Sequence, residues 1–264
     1  MNNLELIPAV EEIIASIEQL TSKKFNFVEK NDLPVLATVK IARRRMPNHI
    51  IYFKATEDKI INHLIAHECG HIKRIYETPE YRRVLYASNE RTKSEAYKAI
   101  SESKSVLVSR FGEELAENIL SNLFDGIIRQ VTNQPIDLMI EKWIYEDYPG
   151  LRQVQLDSLI NQNKQALAGL AESTKVFPKV IVDASNTLNA AYAEQLSRIV
   201  KYKLNREWKK SQYYGRSKEL CLLLDVLKPW SPEDDNSKVI ACAENLNIKS
   251  WFFTAPFEDI PEDY

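Results

Sequence analysis

Glycine is scarce in this sequence, at 6 of 264 residues. Parallel α/β folds spend glycine on tight strand-to-helix turns. None of G-x-G-x-x-G, G-x-x-x-x-G-K-S/T and G-x-S-x-G occurs, which removes most support for a nucleotide-binding fold or an elbow-type serine hydrolase. Cysteine is equally sparse. Cys69, Cys221 and Cys242 are odd in number, far apart and without a CxxC pair, so neither a disulfide framework nor a cysteine zinc knuckle is expected, and a reducing cytoplasm fits. An excess of either charge is also missing. Lys+Arg 35 against Asp+Glu 37 gives a net charge of -2, leaving no global basic field for nucleic acid. No apolar run approaches the roughly 20 residues that span a bilayer. Met1-Asn-Asn-Leu-Glu-Leu-Ile lacks the charged and apolar regions of a secretory signal.

What remains is an ordinary globular composition, 44% hydrophobic and 27% charged, in a length that allows one large domain or two small ones. Leu4, Ile7, Val10, Ile13, Ile14, Ile17 and Leu20 recur at helical spacing. Three β-like runs follow, Phe25–Val28, Leu36–Ile41 and His49–Lys54, the last two joined by the basic turn Arg43–Asn48. They are expected to form one small antiparallel sheet. Beyond about residue 56 the pattern is mostly helical. Thr56 reads as an N-cap, with Glu57 and Asp58 in the first turn, and helices are expected over about 89–107 and 113–132. Pro135 is expected to open another through Trp143 to Tyr148, with three or four more over 151–228 and 236–246. Ala255–Tyr264, acidic and without a basic residue, reads as a solvated tail.

The chemistry concentrates at His67-Glu-Cys-Gly-His71, inside the helix that follows Thr56. Residues four apart share a helix face, so both imidazoles can reach one metal ion from successive turns. Glu68 is placed to take a proton from metal-activated water, the arrangement of the HExxH zinc peptidases. The run His49–Lys54 could supply an edge strand along a cleft, where an extended peptide pairs. All 4 histidines of the chain fall between positions 49 and 71. His63 continues the row, but at about 1.5 Å per residue it lies some 12 Å from His71, too far to share one ion. It reads as a packed or surface histidine.

A strand followed by Ile-Ala-His67-Glu-Cys-Gly-His71-Ile resembles the active helix of gluzincin-like zinc metallopeptidases. Among them it is similar to the ImmA/IrrE-type proteins, soluble bacterial enzymes with an AHExGH helix. The match is good over about 36–75 and loose elsewhere. This resemblance implies a zincin-like core and a third zinc ligand that is a glutamate on a later helix. Asn133-Gln-Pro135-Ile-Asp137-Leu-Met-Ile-Glu141 resembles a block, NxPxD followed by a glutamate, in uncharacterised HExxH proteins. Glu141 is the first choice as ligand, with Asp137 steadying a histidine. Glu95, nearer to His71 in the chain, competes, and Asp137 becomes the ligand if neither glutamate serves.

The segment Lys201–Lys218 holds seven Lys/Arg against Glu207, with Trp208, Tyr213 and Tyr214 interleaved. It suits an acidic or single-stranded nucleic-acid partner, or simply a solvated face with aromatic anchors in the core. Tyr213 or Tyr214 is a candidate oxyanion donor, and Cys69 a small buried residue. The expectation is a mostly helical α+β protein. A zincin-like core over 1–155, with the sheet over the HExxH helix, would carry a packed helical extension over 156–264 anchored by Trp143, Trp208, Trp230 and Trp251. Its function would be hydrolysis of peptide or protein substrates with Zn2+ held by His67, His71 and Glu141, and Glu68 as general base. The alternative is a non-catalytic binding or regulatory module on the same fold. Membrane and nucleic acid are not expected partners.

Overall fold

The computed structural model of the chain describes residues 4–55, 60–172 and 177–260, and among these it is mostly helical with two small sheets, an α+β arrangement. Helix α1 (Pro8–Thr21) opens on Pro8, whose fixed φ suits a first turn, and buries Val10, Ile13 and Ile17. Strands β1 (Lys24–Glu29), β2 (Ala37–Lys40) and β3 (Asn48–Phe53) are the three expected runs. Their order is β1-β3-β2, with β1 parallel and β2 antiparallel to β3. The sheet is therefore mixed, not antiparallel, and β3 is its centre rather than its edge. The turn through Arg44, at φ 43°, folds β2 back on β3 as a hairpin. Strand β1, with Phe25 and Phe27 beside buried His49 and Ile51, takes the other side of β3.

Helix α2 (Ile60–Glu77) buries Ile61, Leu64, Ile65 and Ile72 among α1 and the sheet. Its expected cap and first turn, Thr56, Glu57 and Asp58, lie outside the described residues. Strand β4 (Val84–Ala87) leads to α3 (Glu90–Ala99), started by a reciprocal cap between Asn89 and Thr92. The helix expected over 89–107 is broken at Ile100 (φ −112°, ψ 9°), where α4 (Ser101–Phe111) begins.

Helix α5 (Glu113–Asp147) runs unbroken through Pro135, where a new helix was expected. An interior proline removes a hydrogen bond and costs about 3 kcal/mol. Burial on both sides of it outweighs that loss. Val131 and Leu138 are fully buried, and Gln130 and Gln134 donate to Asn189 Oδ1 on a neighbouring helix at 2.7 and 3.0 Å. The remaining helices are α6 (Arg152–Glu172), α7 (Lys179–Ile199), α8 (Tyr214–Leu223) and α9 (Asp235–Asn245). The expected tail begins instead with strand β5 (Phe253–Pro256), antiparallel to β4, and Phe257 and Ile260 are buried. These two apolar side chains hold it down despite its acidic sequence. Pro261–Tyr264 lie outside the described residues.

Two apolar cores result. One joins α1, the first sheet, α2 and the end of α5 through Ile140 and Ile144. The other joins α3, α4 and most of α5 to residues 159–252. The division falls within α5 rather than at residue 155. Trp208, Trp230 and Trp251 belong to the second core as expected, whereas Trp143 packs half-buried on the first, edge-on to Tyr148.

Candidate metal centre

Gly70 decides how close α2 and α5 come. A Cβ there would lie 2.4 Å from Ile140 Cγ2, so the bare backbone lets the two helices touch. The approach sets Asp137 and Glu141, one turn apart on α5, against His63, His67 and His71 on α2. His67 and His71 both turn Nε2 to Asp137 Oδ1, at 3.5 and 3.3 Å. On its other nitrogen, Nδ1, His67 meets Glu141 Oε1 at 2.8 Å, and Glu141 Oε2 meets His63 Nε2 at 2.9 Å. Gln155 of α6 donates to the same Glu141 Oε2 at 2.6 Å and to the Glu141 carbonyl at 2.8 Å.

The distances separate two kinds of contact. Those to Glu141 are ordinary hydrogen bonds. Those to Asp137 are longer, and Asp137 Oδ1 is a buried oxygen with no hydrogen-bond partner. A tetrahedral ion with bonds of about 2.0–2.1 Å has ligand atoms about 3.3–3.4 Å apart. The triad of His67 Nε2, His71 Nε2 and Asp137 Oδ1 therefore fits a zinc ion, and His, His and carboxylate are a zinc donor set. His63, His67 and Glu141 also lie close together, but at hydrogen-bond lengths.

Electrostatics point the same way. Burial alone would push the Asp137 and Glu141 carboxyls up, but the facing imidazoles hold both well below the usual carboxylate range. For His67 burial favours the neutral ring, yet the facing carboxylates of Asp137 and Glu141 carry its pKa well above the ordinary value. Glu68 is raised, chiefly by burial, while His71, His67 and the Val39 N–H of β2 act against the shift. Glu141 is buried and Asp137 and Glu68 are half-buried, so positive charge is needed to offset their desolvation. Such a grouping could hold a cation.

The other expected residues fall elsewhere. Glu95 lies on α3, side chain 44% exposed, paired with Lys98 at 2.7 Å. Tyr213 is buried at the start of α8, and Tyr214 stacks beside Lys209 and Lys218. With Trp208 also fully buried, two of the four aromatics in the basic segment are core anchors, while Tyr202 is exposed. Burial pushes the Cys69 thiol up, and the residue is fully enclosed. A tyrosine near the centre that sequence reasoning missed is Tyr192 of α7, within electrostatic reach of Asp137 and Glu141. Burial raises its pKa well above 10, and the charges of Asp137 and Glu141 raise it further. No local signal marked it, because its place depends on how α7 packs against α5.

A cleft of about 220 Å3 opens beside Glu68 and His71. Thr38 and Val39 of β2 form one wall, and Val84, Leu85 and Tyr86 of β4 the other. At its far end Arg74 of α2 makes a two-bond pair with Asp235 of α9, at 2.5 and 2.7 Å. Trp230 Nε1 donates to the same Asp235 at 2.8 Å. No known family, curated protein or solved structure is matched by the chain.

Proposed function

We propose that the protein is a zinc-dependent peptidase with a zincin-like core, its ion held by His67, His71 and Asp137. One observation carries this reading: two imidazoles of an HExxH helix converge on a partnerless buried carboxylate oxygen at tetrahedral spacing. Asp137 and Glu141 thus exchange the roles expected of them. Glu141 holds the far nitrogen of His67, fixing the ring's orientation and strengthening it as a ligand.

A zinc ion there would supply a Lewis acid that activates water and polarises a carbonyl. Glu68 takes the proton of the attacking water and returns it to the leaving amine. Burial raises its pKa, which strengthens it as a base. Strand β2, the sheet edge beside Glu68, provides a backbone against which an extended peptide aligns.

The test compares wild type with Glu68→Gln on a cell lysate, reading new protein N-termini by mass spectrometry and zinc by elemental analysis. New termini are expected with wild type only, with zinc equal in both. A Glu68 acid-base role contributes about 10²–10⁴ in rate. Equal cleavage by the zinc-loaded variant, or none by either, contradicts the peptidase reading.

A further inference from the structure

A second cavity lies away from the metal centre, between α7 and the start of α8. Gln195 Nε2 donates to the Cys221 carbonyl, and the Cys221 thiol points to the Ala191 carbonyl. Toward the helix starts, Val182 and Thr187 share the cavity with Tyr213 and Arg216. Contacts thus advance in the same direction along both helices. They run parallel, so their positive N-terminal ends lie at the same end of the pair. Neither start has a side-chain cap or an acidic residue in its first turn.

The cavity, about 360 Å3, has charge and hydrogen-bonding groups suited to an anion. Arg216 and Lys179 bring two cations. Among the described residues on its wall, the one carboxylate, Asp183, is paired with Lys179. Arg216 is 3.5 Å from the Asn245 carbonyl, its one side-chain hydrogen bond among the described residues. Thr187 is fully buried and its Oγ1 has no hydrogen-bond partner, yet it lines the cavity. A buried hydroxyl without a partner is destabilising unless something supplies the bond. Phe177, Val182 and Tyr213 add apolar surface to the same lining.

We propose that this cavity binds a small organic anion, a carboxylate or phosphate ester on a flat apolar body. The anionic group meets Arg216, Lys179 and the uncapped start of α8. The Thr187 hydroxyl donates to it, and the body lies against Phe177 and Tyr213. The site shares no residue with the metal centre, so it stands or falls independently of the peptidase reading.

Calorimetric titration of the full chain with phenyl phosphate, benzoate, inorganic phosphate and phenol tests it. Phenyl phosphate or benzoate is expected to bind saturably, tighter than inorganic phosphate or phenol, and the stronger of the two identifies the anionic group. Arg216→Gln should weaken that probe at least tenfold and Thr187→Val several-fold, while Lys218→Gln, on α8 but outside the cavity, leaves it unchanged. Thr187→Val also removes the partnerless hydroxyl, so its melting temperature should not fall. Lack of saturable binding to wild type, or equal affinity in wild type, Arg216→Gln and Thr187→Val, overturns the proposal.

Discussion

At His67 two carboxylates meet one imidazole, and their distances assign them different work. Asp137 Oδ1 faces the Nε2 atoms of both His67 and His71 at spacings suited to an ion, whereas Glu141 takes His67 Nδ1 in a hydrogen bond. Asp137→Ala should therefore abolish tight zinc binding. Glu141→Gln should weaken it tenfold to a hundredfold, as expected for loss of a ligand's supporting carboxylate. Glu95→Ala should leave it unchanged. Competition with a chromophoric chelator ranks the three, and a larger loss in Glu141→Gln than in Asp137→Ala would reverse the assignment. His49 makes a different residue-scale prediction. It is enclosed, with Nδ1 accepting the Ala42 N–H at 3.0 Å and Nε2 3.1 Å from Thr21 Oγ1. Burial, with help from Lys23, lowers its pKa from 6.5 to about 4. Between those values the unfolded chain binds a proton that the folded one refuses. Stability is thus lost as pH falls through that window, by up to about 1.4 kcal/mol per pH unit. Denaturant titrations at pH 7 and pH 5 should show a smaller drop for His49→Asn, which keeps an acceptor but does not titrate. Equal drops would contradict the burial account.

At the scale of elements, the centre depends on the contact of α2 with α5. Alanine in place of a helical glycine ordinarily adds about 1 kcal/mol of stability. At Gly70 the added methyl meets buried, β-branched Ile140, and overpacking of this kind costs about 1–3 kcal/mol. Gly70→Ala should lower the melting temperature and weaken zinc binding together, because moving α5 moves Asp137. Gly126→Ala, on α5 with nothing within 4 Å of the new carbon, should raise the melting temperature and leave zinc alone. If Gly70→Ala behaved like Gly126→Ala, the close approach would not matter. The same contact explains what the sequence concealed. Helical periodicity exposed α2 and its histidine row, and the spacing of Asp137 and Glu141 showed that they share a face. Which of the two meets which ring nitrogen depends on the register of α5 against α2, and residues four apart look alike in that respect. Pro135 misled because its penalty is local, while the burial that overrides it comes from α7. Strands β4 and β5 escaped notice because each has only four residues and pairs across most of the chain.

Over the whole molecule, α5 belongs to both apolar cores, and Arg74–Asp235 ties the end of α2 to the start of α9. The carboxylates of the centre therefore stand on the helix that joins the two cores, while its histidines stand on α2 in one of them. The class and the three strands of the first sheet were legible from alternation and periodicity. The shared helix was not, since a boundary near residue 155 looked natural after Pro149-Gly150. No helix among the described residues is long and apolar enough to cross a membrane. This framework is proposed to hold one zinc ion between α2 and α5. Anomalous diffraction at the zinc edge, from crystals of the zinc-loaded protein, measures that directly. One peak is predicted about 2.0–2.2 Å from His67 Nε2, His71 Nε2 and a carboxylate oxygen of Asp137. A peak on Glu141 and His63, or no peak in the cleft, would contradict it.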